Sequence, residues 1–176
     1  GQAWGISTTT TTADGGGASG MYWLDCNASS GDVTLVGWDL NSPSAGVSGI
    51  ASYAPARTII VGDPVVGDTW TVNQIENVDV MGTPVALQLT MAYEIEAEES
   101  ITVPAGTFDA LRVVAEYDIV DQSGTFIQGT LHGIEQTWFT DGLGVIKIDH
   151  QREESEGGAM IEFQSKELVS YSGLNP

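Results

Sequence analysis

Apolar and polar residues alternate along most of this chain with a period of two. Leu87, Leu89, Met91, Tyr93 and Ile95 recur at every second position, opposite Gln88, Thr90, Glu94 and Glu96. Leu111, Val113, Ala115, Tyr117 and Ile119 repeat the pattern, with Arg112, Glu116 and Asp118 between them. Successive side chains of an extended chain point to opposite faces, so each segment predicts a strand with one dry and one wet face. The pattern predicts strands at 21–25, 32–38, 47–53, 57–61, 69–78, 84–96, 99–103, 107–120, 125–139, 143–149 and 159–171. Turn-forming clusters separate them, among them Ser29-Ser30-Gly31-Asp32, Gly62-Asp63-Pro64, Met81-Gly82-Thr83-Pro84 and Gln122-Ser123-Gly124. No segment carries a helical apolar stripe. Short connections make sequential strands pair antiparallel, as a meander. A twisted sheet of about ten strands must curl, split or close, so the expected fold is an all-β barrel, half-barrel or sandwich.

Residues 1–20 break the pattern and read as an extension to a single all-β domain at 21–176. Ile6 to Thr12 is rich in β-branched residues, and Gly15, Gly16 and Gly17 supply a hinge. A β-prone segment on a glycine tether adds itself to a sheet edge, on its own subunit or on a neighbour. Trp4, Ile6, Thr8, Thr10 and Thr12 are the candidate partner-binding residues of such a donor strand.

Charge narrows the choice of partner. The 176 residues carry 24 acidic and 5 basic side chains, a formal net charge of −19. Nucleic acid is excluded, because its backbone is bound by displacing counterions with Lys and Arg clusters. Anionic membrane surfaces are disfavoured for the same reason, and no apolar run is long enough for a transmembrane helix. The single cysteine, Cys26, has no internal disulfide partner. The opening Gly1-Gln2-Ala3-Trp4 fits a mature terminus behind a small-residue cleavage site. The expected location is extracellular or at a bacterial cell surface, with the periplasm as the alternative.

Three motifs carry a family resemblance. Gly67-Asp68-Thr69-Trp70 is a G-x-x-W strand start, Val103-Pro104-Ala105-Gly106-Thr107-Phe108 is a V-P-A-G-x-F hairpin, and Trp138 through Gly142 and Gly144 to Lys147 follows a closing W-x-x-x-G-x-G-x-V-K strand with Ile146 at the Val position. Together they resemble a diverse group of uncharacterised exported bacterial β-meander proteins and lipoproteins, over roughly residues 20–150. The resemblance implies the fold and an exported protein. It transfers no catalytic residue.

Candidate chemistry is thin. Asp25, Asn27 and Asp32 place side-chain oxygens around a glycine, loosely like a calcium loop, but the glycine falls one residue late and no bidentate Glu follows. Calcium is therefore the one cofactor left open, and a polar hairpin is the competing reading. Asn27-Ala28-Ser29 is also a glycosylation sequon. Glu94, Glu96, Glu98 and Glu99, with Glu116 and Asp118, read as a solvated face or a loose divalent site. His132, His150 and Cys26 are too few for a zinc site, and no nucleophile elbow or phosphate loop is present. The expectation is a non-enzymatic structural subunit of a fibre or surface layer, joined by its N-terminal strand into a homo-oligomer or filament. The alternative is a binding protein holding an apolar ligand against Leu87, Leu89, Met91 and Tyr93.

Overall fold

The computed structural model describes residues 2–11, 17–27, 29–42, 47–80, 82–124, 127, 129–141, 143–154 and 162–168. Within them the chain forms ten strands. They are β1 (Gln2–Thr11), β2 (Gly17–Cys26), β3 (Val33–Ser42), β4 (Val47–Ile60) and β5 (Thr69–Val80), then β6 (Thr83–Val103), β7 (Gly106–Asp121), β8 (Thr130–Thr140), β9 (Gly144–Glu154) and β10 (Glu162–Glu167). Their order in the sheet is their order in sequence, the meander that short connections dictate. Among the described residues β1 and β10 stand at the two ends of that order.

Two pairs of predicted strands are continuous in the structure. Segments 47–53 and 57–61 merge into β4, because the break between them is a bulge. Leu35 pairs with Arg57 and Gly37 with Ser52, so residues 53–56 lie opposite Val36 alone. A bulge is where a strand tolerates a residue with no N–H, and Pro55 sits inside this one. Segments 84–96 and 99–103 likewise merge into β6, 21 residues long.

The chain packs as two compact units. Gly1–Pro64, Val72–Leu89 and Ile119–Gln128 make the first; Val65–Thr71, Thr90–Asp118 and Gly129–Pro176 make the second. In the first, Leu24, Leu35 and Tyr53 form a buried cluster flanked by Val33, Trp38 and Ile59. Its buried polar residues are Gln74 and Glu76 on β5 and Asp121 on β7, and Glu76 accepts a hydrogen bond from Trp38 Nε1.

The second unit is centred on Ala110, Trp138 and Ile146, packed against Ile101, Phe108, Leu143 and Leu168. A bulge explains how Ile146 comes to be fully buried. Trp138 pairs with Lys147 and Phe139 with Val145, which leaves Ile146 as the extra residue. Alternation fails at the same place, with Thr137, Trp138 and Phe139 all buried in succession. Leu168 ties the chain beyond β10 to this centre. Its N–H donates to the Ile146 carbonyl at 2.8 Å, and its carbonyl accepts from Ala105 N–H at 3.1 Å, in the β6–β7 turn. Tyr93 stacks flat on Trp70, ring centroids 4.8 Å apart.

Gly133 on β8 lies beneath the ring of Tyr117 on β7. A Cβ at Gly133 would overlap the Tyr117 phenol outright, so this crossing admits only glycine. Tyr117 itself is buried, leaving its ring little room to retreat. Gly133→Ala should therefore cost about 1–3 kcal/mol as an overpacking change, read from urea unfolding. In a Tyr117→Ala background the same substitution should cost almost nothing. An equal loss in both backgrounds would contradict the contact.

Candidate interaction edge and groove

The Thr-rich segment forms β1, and its partner is the next strand of its own chain. Ten consecutive pairs join Gln2↔Cys26 through Thr11↔Gly17 without a register shift. Of the two pairings the sequence left open, the structure contains the intramolecular one. The hinge divides accordingly: Gly17 begins β2, whereas Thr12, Gly15 and Gly16 lie outside the described residues. The side chains of Trp4, Ile6, Thr8 and Thr10 are likewise outside the description, though their backbone lies in β1. The sequence set off 1–20 from 21–176; in the structure β1 and β2 are one hairpin within the first compact unit.

β1 is the last strand on its side of the sheet among the described residues. Its outer backbone N–H and C=O groups therefore have no strand to pair with. Its sequence, QAWGISTTTT, holds no charge and no proline, the two commonest protections of an edge. Charge is scarce throughout the hairpin: residues 1–26 contain two of the chain's 24 acidic residues, Asp14 and Asp25, and no Lys or Arg. The opposite edge differs, since β10 is six residues long and reads EFQSKE.

The wall offered for an apolar ligand is corrected by the structure. Leu89, Met91 and Tyr93 are buried in the packing of the sheet, and Leu87 is half-buried. Their alternates line an open groove of about 410 Å³ in the second unit instead. Thr90 from β6, Glu116 and Asp118 from β7, His132 and Ile134 from β8 and Gln151 from β9 form it. Asp118 Oδ1 meets His132 Nδ1, with both side chains about half exposed. Pairs this wet are worth roughly 0–1 kcal/mol. The groove mixes Ala92, Tyr117 and Ile134 with the carboxylates of Glu116 and Asp118, and none of the four residues of the expected wall lines it.

The carboxylates of β6 also gain an organiser that alternation does not reveal. Arg112 Nη2 lies 3.2 Å from Glu96 Oε2, and Arg112 Nε 3.6 Å from Glu99 Oε1. Glu99 Oε1 in turn accepts from Trp138 Nε1 at 2.7 Å. One oxygen thus serves both a cation and the buried indole, which pins β6, β7 and β8 together. Lys147, 5.0 Å from the Trp138 ring centroid, adds a cation–π contact and an ion pair with Asp149. Glu94, Glu96 and Glu98 remain exposed.

The calcium-like loop is closed by its own hydrogen bonds. Asn27 Oδ1 accepts from the N–H groups of Ser29 and Ser30, at 3.0 and 3.4 Å. Asp32 Oδ2 accepts from Ser30 Oγ at 2.7 Å, and Asp32 Oδ1 from Gly62 N–H at 2.7 Å. A Cβ at Gly62 would overlap the Ser30 carbonyl, so glycine is what lets the β4–β5 connection dock on this hairpin. Asn27 and Asp32 thus serve the loop itself, while Asp25 Oδ1 is buried without a hydrogen-bond partner. No group of three or more His, Cys, Asp or Glu suited to a metal occurs among the described residues. His150 is buried within β9 rather than at a strand end. Among the described residues no helix is long and apolar enough to cross a membrane.

No protein-family profile matches the sequence, and no curated protein does. Among solved structures the chain is similar to the crystal structure of a "putative lipoprotein" from Parabacteroides distasonis ATCC 8503. The match has 14% identity and a TM-score of 0.44, and it covers 96% of this chain and 92% of that one. The overlap is long, but the likeness is too remote to carry an argument.

The loop generates a test. Hydrogen bonds from Ser30 and Gly62 lower the Asp32 pKa below its ordinary 3.8. A lowered folded-state pKa stabilises the fold above the unfolded value, about 3.9, and that contribution fades as pH falls through the folded value. Asp32→Asn should be less stable than the parent at neutral pH, and the gap should close in the acid range below about pH 4. Denaturant midpoints measured across that range decide it. A gap independent of pH would assign the loss to something other than the carboxylate.

Proposed function

We propose that this protein is a non-enzymatic assembly subunit of an extracellular or cell-surface layer or fibre, joined through the outer edge of β1. The observation that carries the reading is an unprotected ten-residue edge in the least charged part of a chain of net charge −19. Edge strands without charge or proline are templates for adding another strand, whose main-chain hydrogen bonds supply the affinity. The form of the joint differs from strand donation. Exchange would first break ten intramolecular pairs, whereas edge addition leaves them in place. The acidic remainder keeps the subunit soluble and makes the neutral edge the face of least repulsion between copies. An exported location accords with this surface, since like-charge repulsion weakens in salty surroundings outside the cell.

Alternate residues of a strand direct their N–H groups to opposite neighbours. Of Thr8→Pro and Thr9→Pro, one therefore removes a bond to β2 and the other removes a donor from the free edge. The variant that keeps the parent's thermal stability should lose self-association in sedimentation velocity, and the parent's self-association should strengthen with salt as repulsion is screened. A parent that stays monomeric at high concentration and seawater-like salt would defeat the proposal. So would unaltered assembly in both proline variants.

A further inference from the structure

The joint has a symmetry that the two edges themselves select. Resting on the assembly reading, we infer that the β1 edge pairs with the β1 edge of a second copy, antiparallel about a twofold axis, making a closed dimer the building unit. Head-to-tail addition would set β1 against β10. That pairs a ten-residue strand with one of six, and an uncharged edge with Glu162, Lys166 and Glu167. β10 is short and charged, the character of a protected edge. One of its charges is also engaged: Lys147 of β9 lies 3.7 Å from Glu167 while holding Asp149 at 3.0 Å.

β1 against β1 meets none of these obstacles. The strands match in length, and neither carries charge. Two chains of net charge −19 repel least where their charge is sparsest. The hydrogen-bonding requirement is met as well, because an antiparallel pair satisfies the outward N–H and C=O groups of both edges at once. A twofold pair is isologous and closes, so growth into a layer or fibre would use a different surface.

The symmetry fixes a contact pattern. Directly opposed residues of neighbouring strands share a face, so a twofold axis through the seam sets one residue opposite itself. The midpoint of Gln2–Thr11 falls between Ile6 and Ser7, so one of these two is that residue.

The experiment uses the full chain in a Cys26→Ser background with single cysteines at Ile6, Ser7, Ala3, Thr10 and, on β10, Ser165. Mild oxidation should give covalent dimers of twice the monomer mass from Ile6→Cys or Ser7→Cys, with little or none from Ala3→Cys or Thr10→Cys. A spin label at the same positions should report the shortest interchain distance at the centre of β1, which keeps the test open if a cysteine variant oxidises poorly. Cross-links or short distances only in mixtures of β1 and Ser165 variants would overturn the twofold joint and leave the assembly reading standing. An absence of interchain proximity at every position, with a monomeric parent, would overturn both.

Discussion

Every structural feature of this protein depends on the antiparallel backbone ladder and on where that ladder stops. A strand inside a sheet satisfies its N–H and C=O groups on both sides, whereas the end strands satisfy half. Because the chain meanders, each strand is placed beside its sequence neighbours, and among the described residues β1 has a strand on one side alone. The Thr-rich segment is thereby held, paired on one side, at the position where an incoming strand would add.

Charge is distributed in keeping with the ladder. Alternation puts Glu94, Glu96 and Glu98 on the wet face of β6 and Ile95 on the dry one, fully buried. Two carboxylates of β6 meet specific partners. Arg112 sits between Glu96 and Glu99, and Glu99 also receives the buried Trp138 indole. The hairpin of β1 and β2 brings little charge, Asp14 and Asp25 being its acidic residues.

Alternation alone made much of this legible in the sequence. Buried positions at Leu89, Met91, Tyr93, Val113, Ala115 and Tyr117 fall on the residues that the period of two selects. What escaped lay in tertiary facts with no period. Ala54-Pro55-Ala56 looked like a strand break and is a bulge inside β4, because the partner strand absorbs the extra residues. Nothing in the sequence marks Gly133, because the Tyr117 ring that fills the space above it comes from another strand. Asp32 stands in a polar hairpin of loosely calcium-like spacing, and that spacing does not reveal that its carboxylate reaches Gly62, thirty residues away in sequence. The apolar wall on β6 was correctly recognised as a row and misassigned as a surface. Its alternates, Thr90 and Ala92, face the groove. A row of apolar residues announces one face of a sheet without saying what covers it.

The central claim, that the outer edge of β1 is a joint between copies, is most directly tested by amide hydrogen exchange as a function of protein concentration. Amides of β1 that bond to β2 should be protected at every concentration, because the hairpin is intramolecular. The alternating amides that face outward should exchange freely in dilute solution and gain protection as concentration rises. Outward amides of β1 that exchange at the same fast rate from dilute to concentrated solution would contradict the account.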